Sequence, residues 1–126
     1  MSEEAMEVVR RFCEAFSGGD VDQVLSFFTE DAVYHNMPMT PVMGKAAIRA
    51  VLEAFMRPAE EMEFRILHMA ANGPIVFTER VDRFIMGGKE VLLPVAGVME
   101  VKEGKIAAWR DYFDLATWVK QTRESG

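Results

Sequence analysis

The stretch from Val76 to Phe84, Val-Phe-Thr-Glu-Arg-Val-Asp-Arg-Phe, constrains this chain more than any other. It is rich in β-branched and aromatic residues, has no Gly or Pro, and runs into Gly87-Gly88, so it reads as a strand ending in a turn. Side chains alternate between the faces of a strand. One face carries Val76, Thr78, Arg80, Asp82, Phe84 and Met86; the other carries Phe77, Glu79, Val81, Arg83 and Ile85. The first face sets an arginine beside an aspartate among apolar neighbours. If it is interior, two charges are buried together, and a buried charge is tolerable only when paired. Taken alone, the strand is read as a surface element with an ordinary ion pair. The competing reading is an active site, where buried titrating groups concentrate.

The remaining segments favour an interior. Ala5, Val8, Val9, Phe12, Cys13 and Phe16 recur at helical spacing behind Ser2, a candidate cap, and Gly18-Gly19 ends that helix. Cys13 lies on the apolar stripe and is read as inert core. Asp20 with Gln23 resembles a capping pair for a short helix through Val24, Leu25 and Phe28, and Thr29-Glu30-Asp31 is expected to turn the chain. Ala32–Met37 reads as a short strand stopped by Pro38, with Tyr34 and Asn36 on one face and His35 on the other. An apolar loop to Met43 leads into a third helix with Ile48, Val51, Leu52 and Phe55 inward.

From Glu60 the hydrophobic period changes to two. Met62, Phe64, Ile66, His68 and Ala70 share a face, and Asn72-Gly73 signals a hairpin into the Val76–Phe84 strand. Lys89–Val101 is a long strand with Val91, Leu93, Val95, Gly97 and Met99 on one face; Pro94 within it suggests an edge or a bulge. After Glu103-Gly104, Lys105–Phe113 forms a last strand with Ala107, Trp109, Asp111 and Phe113 together, and Asp114 can cap a terminal helix. Helices first and a strand meander after them give an α+β class, one domain over residues 1–126. A curved, mostly antiparallel sheet with about four helices against one face would enclose a cone-like apolar pocket.

Five polar residues then occupy strand positions that otherwise read as apolar: Tyr34, Asn36, Arg80, Asp82 and Asp111. Each has a plain explanation by itself, such as a satisfied core tyrosine or an asparagine organising the Pro38 loop. Together, two carboxylates and one arginine carry a net charge of −1, and an apolar setting favours their holding one proton. One acid beside one base at neutral pH is the equipment of general acid–base catalysis. Other classes are disfavoured. A net charge of −6 and a pI near 4.9 argue against nucleic acid or an anionic membrane as partner. Two histidines and one cysteine, widely spaced, make no metal motif. A single cysteine, and an N-terminus without a signal-peptide layout, suggest a reducing cytoplasm.

Tyr34-His35-Asn36-Met37-Pro38, Glu79-Arg80-Val81-Asp82, Gly104-Lys105-Ile106 and Trp109-Arg110-Asp111-Tyr112-Phe113-Asp114 resemble the limonene-1,2-epoxide hydrolase family, over nearly the whole chain. The resemblance implies the NTF2-like (cystatin-like) cone, with a mixed, mostly antiparallel sheet. It implies that Tyr34, Asn36 and Asp111 hold a water whose proton Asp111 takes, that protonated Asp82 donates to the epoxide oxygen, and that Arg80 bridges the aspartates. The substrate is then a small apolar epoxide with water, with no cofactor, and a homodimer is expected by analogy. Phe84, Leu93, Val95 and Phe113 share faces with these groups and are expected to line the substrate pocket, plain core packing being the other reading. His35 stands where the family has Gln, and the start close to the first helix is expected to bear on pocket size. Two other functions fit the same pocket type. Ketosteroid isomerases and polyketide cyclases use Tyr and Asp, though the isomerases lack an arginine between two aspartates, and a non-catalytic binding module would tolerate changes at Asp82 and Asp111.

Overall fold

The structure, a computed structural model, describes residues 2–123. Helix α1 spans Ser2–Ala15, and a 3-10 turn over Phe16–Gly18 follows it, closed by Gly19 at φ 71°. That left-handed turn needs a residue without Cβ. Helix α2, Val21–Leu25, is capped by Asp20, whose carboxylate accepts from the backbone N–H groups of Asp22 and Gln23. Then come β1 (Phe28–Asn36), β2 (Val42–Met43), α3 (Lys45–Met56), β3 (Glu61–Asn72), β4 (Ile75–Met86), β5 (Lys89–Lys102), β6 (Lys105–Tyr112) and α4 (Leu115–Arg123). Asp114 caps α4, accepting from the Ala116 N–H and the Thr117 hydroxyl.

The strands form one sheet in the order β2-β1-β6-β5-β4-β3. Strands β3 to β6 are an antiparallel meander, while β1 lies parallel to β6, so the sheet is mixed. The inner face meets α1 through Val9, Phe12 and Cys13, and the turn after it through Phe16, all essentially inaccessible to solvent. Phe12 sits edge-on to Phe16, Phe28 and Trp109, with ring centroids 4.9–5.3 Å apart, the favoured aromatic geometry. Trp109 joins this aromatic cluster to the buried polar groups through its indole N–H, which donates to Asp111. The α+β cone expected from the sequence is thus the observed fold.

Several local expectations change. Thr29-Glu30-Asp31 does not turn the chain; Phe28 leaves the helix and opens β1, and the register against β6 slips between Phe28 and Val33. The three polar residues lie within that irregularity, without partners on β6, while Phe28 before them and Val33 after them pair with it. Ser2 lies inside α1 and its hydroxyl donates to the Gly73 carbonyl at 3.4 Å instead of capping the helix. In β3 the register to β4 slips between Ile66 and His68. An extra residue moves every later side chain to the other face. His68 is therefore exposed, its Nδ1 2.8 Å from Glu79 Oε1, while Met69 and Ala71 turn inward. Pro94 marks no bulge, since it pairs with Val81 of β4 in continuous register, but it does mark a local edge. On its other side β6 begins to pair only at Ala96. Pro94 lies beyond that end, where an N–H would have no partner strand. The adjacent free backbone at Leu92 is bridged by the Gln121 amide, which donates to its carbonyl at 2.7 Å and accepts its N–H at 2.9 Å.

Candidate active site

Strand β4 presents Thr78, Arg80 and Asp82 to the interior, as alternation predicts, and all three are buried. Asp111 comes from β6, on the other side of β5, and is buried with them. The Arg80 guanidinium spans the intervening strand, and each of its five N–H groups has an acceptor. Nε donates to Asp82 Oδ1 at 2.9 Å, and Nη2 to Asp82 Oδ2 at 2.9 Å and Asp111 Oδ2 at 2.7 Å. Nη1 donates to Asp111 Oδ1 at 3.1 Å and Thr78 Oγ1 at 3.3 Å. The Phe64 ring lies 4.9 Å from the guanidinium carbon and covers it from the helix side. Asp111 Oδ1 also accepts the Trp109 indole N–H at 2.7 Å. Tyr34 stacks on that indole, centroids 4.0 Å apart and planes 7° from parallel, and shares a side-chain hydrogen bond with Asn36.

The electrostatics follow from burial. Taking Asp82 out of water raises its pKa from 3.8 to about 6; Arg80 opposes the rise by its charge and hydrogen bonds, and the charge on Asp111 adds to it. Burial would lower the Arg80 pKa, but the charges of Asp111 and Asp82 and their hydrogen bonds hold it well above its ordinary value, so it is always a cation. Burial, then the Asp111 charge, pushes the Tyr34 hydroxyl well above its usual range against the Asn36 hydrogen bond, keeping it a neutral donor and acceptor. With Asp82 protonated, the Arg80–Asp111 pair is neutral overall. That is the charge state a low-dielectric pocket favours.

These groups face a cavity of about 530 Å³ between the sheet, α3 and α4. Of the residues singled out in the sequence, Tyr34, Asn36, Asp82 and Asp111 line it, together with Phe84, Leu93, Val95 and Phe113. Arg80 is not part of the lining; it lies behind the two aspartates, against Phe64. Helix α3 adds Ala50, Val51, Ala54 and Phe55, and Trp118 of α4 closes against Phe84 edge-on at 5.1 Å. Apart from Thr40 the rest of the wall is apolar, with no lysine, arginine or histidine among its residues. Among the described residues, no three His, Cys, Asp or Glu side chains are grouped to hold a metal ion. No helix among them is long and apolar enough to cross a membrane.

Residues 3–124 match the family model described as the limonene-1,2-epoxide hydrolase catalytic domain. This chain belongs to that family. It is 36% identical over 107 residues to epoxide hydrolase EphG of Mycobacterium tuberculosis, covering 85% of this chain and 71% of that protein. Its fold superposes on the structure of an M. tuberculosis LEH-like epoxide hydrolase with a TM-score of 0.83 at 34% identity, covering 95% of this chain and 90% of the other. A crystal structure of a putative polyketide cyclase from Xanthomonas campestris pv. campestris is as similar in fold, with a TM-score of 0.84 at 26% identity, covering 95% and 97%.

In this limonene-1,2-epoxide hydrolase family chain, the sequence reading missed three residues of the site. Thr78 supplies the fifth acceptor for Arg80, and its place two residues before Arg80 on the same face was the available signal. Trp109 carries the donor to Asp111, again two residues away on one face. Gly97 was also missed, though a lone glycine among Val91, Leu93, Val95 and Met99 on one strand face was the available signal of a close approach. It pairs with Thr78 on one side and Asp111 on the other, directly under the guanidinium. A Cβ there would lie 2.6 Å from Arg80 Nη1, 2.7 Å from Asp111 Oδ1 and 3.0 Å from Thr78 Oγ1. Its backbone is ordinary extended strand, so it is glycine for close approach, not for conformation.

Proposed function

We propose that this chain hydrolyses an apolar epoxide, of terpene or cycloalkene type, to a vicinal diol in one step. Asp111 removes a proton from a water held with Tyr34 and Asn36. The water oxygen attacks one oxirane carbon from the face opposite the breaking C–O bond, and Asp82 gives its proton to the departing oxygen. The diol leaves, and the proton on Asp111 is returned to Asp82 through solvent. Arg80 keeps the acid and the base at fixed separation through all of this, since its planar fork holds both carboxylates. The observation that carries the reading is one buried guanidinium holding two carboxylates at the wall of an apolar cavity, one of them with its pKa raised to about 6. Epoxide opening by water needs an acid and a base together, and a carboxyl with its pKa raised to about 6 keeps its proton closer to neutrality than an ordinary aspartic acid does. Family membership and the 36% identical epoxide hydrolase support the substrate class.

A route through an aspartyl ester would need a second group to deprotonate water, for which a histidine is best suited. His68 is exposed on the far side of β3, and the His35 ring bonds the Met39 carbonyl at 2.9 Å. The test is diol formation from a panel of terpene and cycloalkene oxides, followed by a single turnover in oxygen-18 water with enzyme in excess. Direct attack puts the label in the diol at once. Heavy oxygen in a peptide holding Asp82 or Asp111 would refute the one-step mechanism. Asp82→Asn and Asp111→Asn should each abolish most turnover, with losses that do not add in the double variant.

We also propose that two copies pair through the outer sheet face, where Phe77 and Tyr112 are 45% and 46% exposed. Sedimentation over a range of concentrations, with Phe77→Glu as comparison, tests this.

A further inference from the structure

We propose that Trp109 is a positioning residue that leaves Asp111 one free lone pair, on Oδ2, and so fixes which atom takes the proton from water. The inference rests on the reading of Asp111 as the base.

An ionised carboxylate offers about four lone-pair sites, two on each oxygen. On Asp111, Oδ1 accepts two donors, the Trp109 indole at 2.7 Å and Arg80 Nη1 at 3.1 Å. Oδ2 accepts one, Arg80 Nη2 at 2.7 Å. Three of the four sites are therefore filled, and the vacant one lies on Oδ2. Arg80 alone does not create this asymmetry, because it gives one N–H to each oxygen. The indole N–H is the group that closes Oδ1.

The direction of control also follows from the packing. Trp109 is fully buried, edge-on to Phe12 at 4.9 Å, and stacked on Tyr34 at 4.0 Å. Phe16 and Phe64 press on it at 5.8 and 6.4 Å. Rings on α1, β1 and β3 thus fix the indole plane, and its N–H points at a place Asp111 must meet. The same ring locates Tyr34, so one side chain sets both the base and a partner of the water. Tyr34 and Trp109 are themselves cross-strand partners in the parallel β1–β6 pair.

Two effects of losing the N–H oppose each other. A carboxylate deprived of a donor becomes more basic, which favours proton abstraction. It also regains rotation and a second competing lone pair, so the water is no longer met by one atom in one direction. Displacements near an ångström cost on the order of a hundredfold in rate, so misplacement outweighs the gain in basicity.

The experiment replaces Trp109 site-specifically with 3-benzothienylalanine, which keeps the bicyclic ring and its stacking but has sulfur in place of the N–H. The expected result is a kcat roughly ten- to hundredfold lower with KM changed less than about twofold. In parallel, the indole N–H resonance of Trp109 is observed by nitrogen-15 NMR in the unsubstituted protein. Its bond to a carboxylate predicts a downfield position that moves upfield in Asp111→Asn. An unaltered kcat in the analogue, with Asp111→Asn inactive, would overturn the role of Trp109 and leave Asp111 as base. An indole resonance indifferent to Asp111→Asn would overturn it without any appeal to activity. A nearly active Asp111→Asn would remove the base reading, and this inference with it.

Discussion

Gly97→Ala tests whether the acid–base pair depends on an arginine lying flat against β5. The new methyl would sit 2.6 Å from Arg80 Nη1 and 2.7 Å from Asp111 Oδ1, where an ordinary contact begins at 3.4 Å. Both groups would have to retreat by about 0.8 Å, or the strand would have to bow by that much. Neither can move freely, since Arg80 has all five N–H groups engaged and Asp111 is held by Trp109. Overpacking of this kind costs about 1–3 kcal/mol. Alanine in a strand recovers roughly 0.5–1 kcal/mol of the backbone entropy that glycine loses. The net is a destabilisation of about 1–2 kcal/mol. With about 2.1 cal/mol/K of unfolding entropy per residue over 126 residues, that lowers Tm by roughly 4–8 °C. The rate effect should be larger than the stability effect. A shift near 1 Å between acid and base is worth on the order of a hundredfold in kcat. The assay is diol formation at saturating epoxide, with Tm from calorimetry on the same sample. A variant with native kcat and native Tm would show that the guanidinium does not need to lie over Gly97, and the close-approach argument would fail.

Arg80→Lys keeps the charge but offers three donors from a point in place of five from a planar fork, so at least two buried acceptors lose their partner; kcat should fall on the order of a hundredfold or more with a modest change in KM, and full activity would show that charge alone suffices. Because Asp82 must carry a proton to act as the acid, kcat/KM should fall about tenfold per pH unit on the alkaline side of its pKa of about 6; a profile flat from pH 5 to 9 would refute that role. Stability has a linked sign: the folded-state pKa lies above the unfolded value of 3.8, so protonation of Asp82 contributes fully below 3.8 and its contribution is lost as pH rises through about 6. That contribution is on the order of 2–3 kcal/mol, so Asp82→Asn should lose stability less than the native chain as pH is raised across that interval, as pH-resolved urea unfolding would show.

Much of the site was legible because it follows a period of two. Once Val76–Phe84 is a strand, Arg80 and Asp82 must share a face with Phe84, and the same rule sets Asp111 beside Trp109 and Tyr34 beside Asn36. The helical stripe of Val9, Phe12, Cys13 and Phe16 was equally plain and packs as its spacing requires. The family resemblance then supplied partners that spacing cannot, since Tyr34, Arg80 and Asp111 lie far apart in the chain.

What the sequence determined by itself was the set of local alternations: which residues face inward within each element, and that charges stand among them. Only the tertiary structure decided what depends on which strand lies beside which. The His68 assignment failed because a register slip after Ile66 reverses the alternation, and the slip is fixed by pairing with β4. Thr29-Glu30-Asp31 became extended because the chain on either side of it, at Phe28 and from Val33 on, pairs with a parallel neighbour from the far end of the chain. A lone glycine in a strand signals at most that something comes close; that the group is Arg80 with Asp111 follows only because β5 runs between them and the guanidinium crosses over Gly97. Alternation is a property of one strand's backbone, whereas register and close approach are properties of pairs. The chain encodes the first in neighbouring residues and the second only through the fold as a whole.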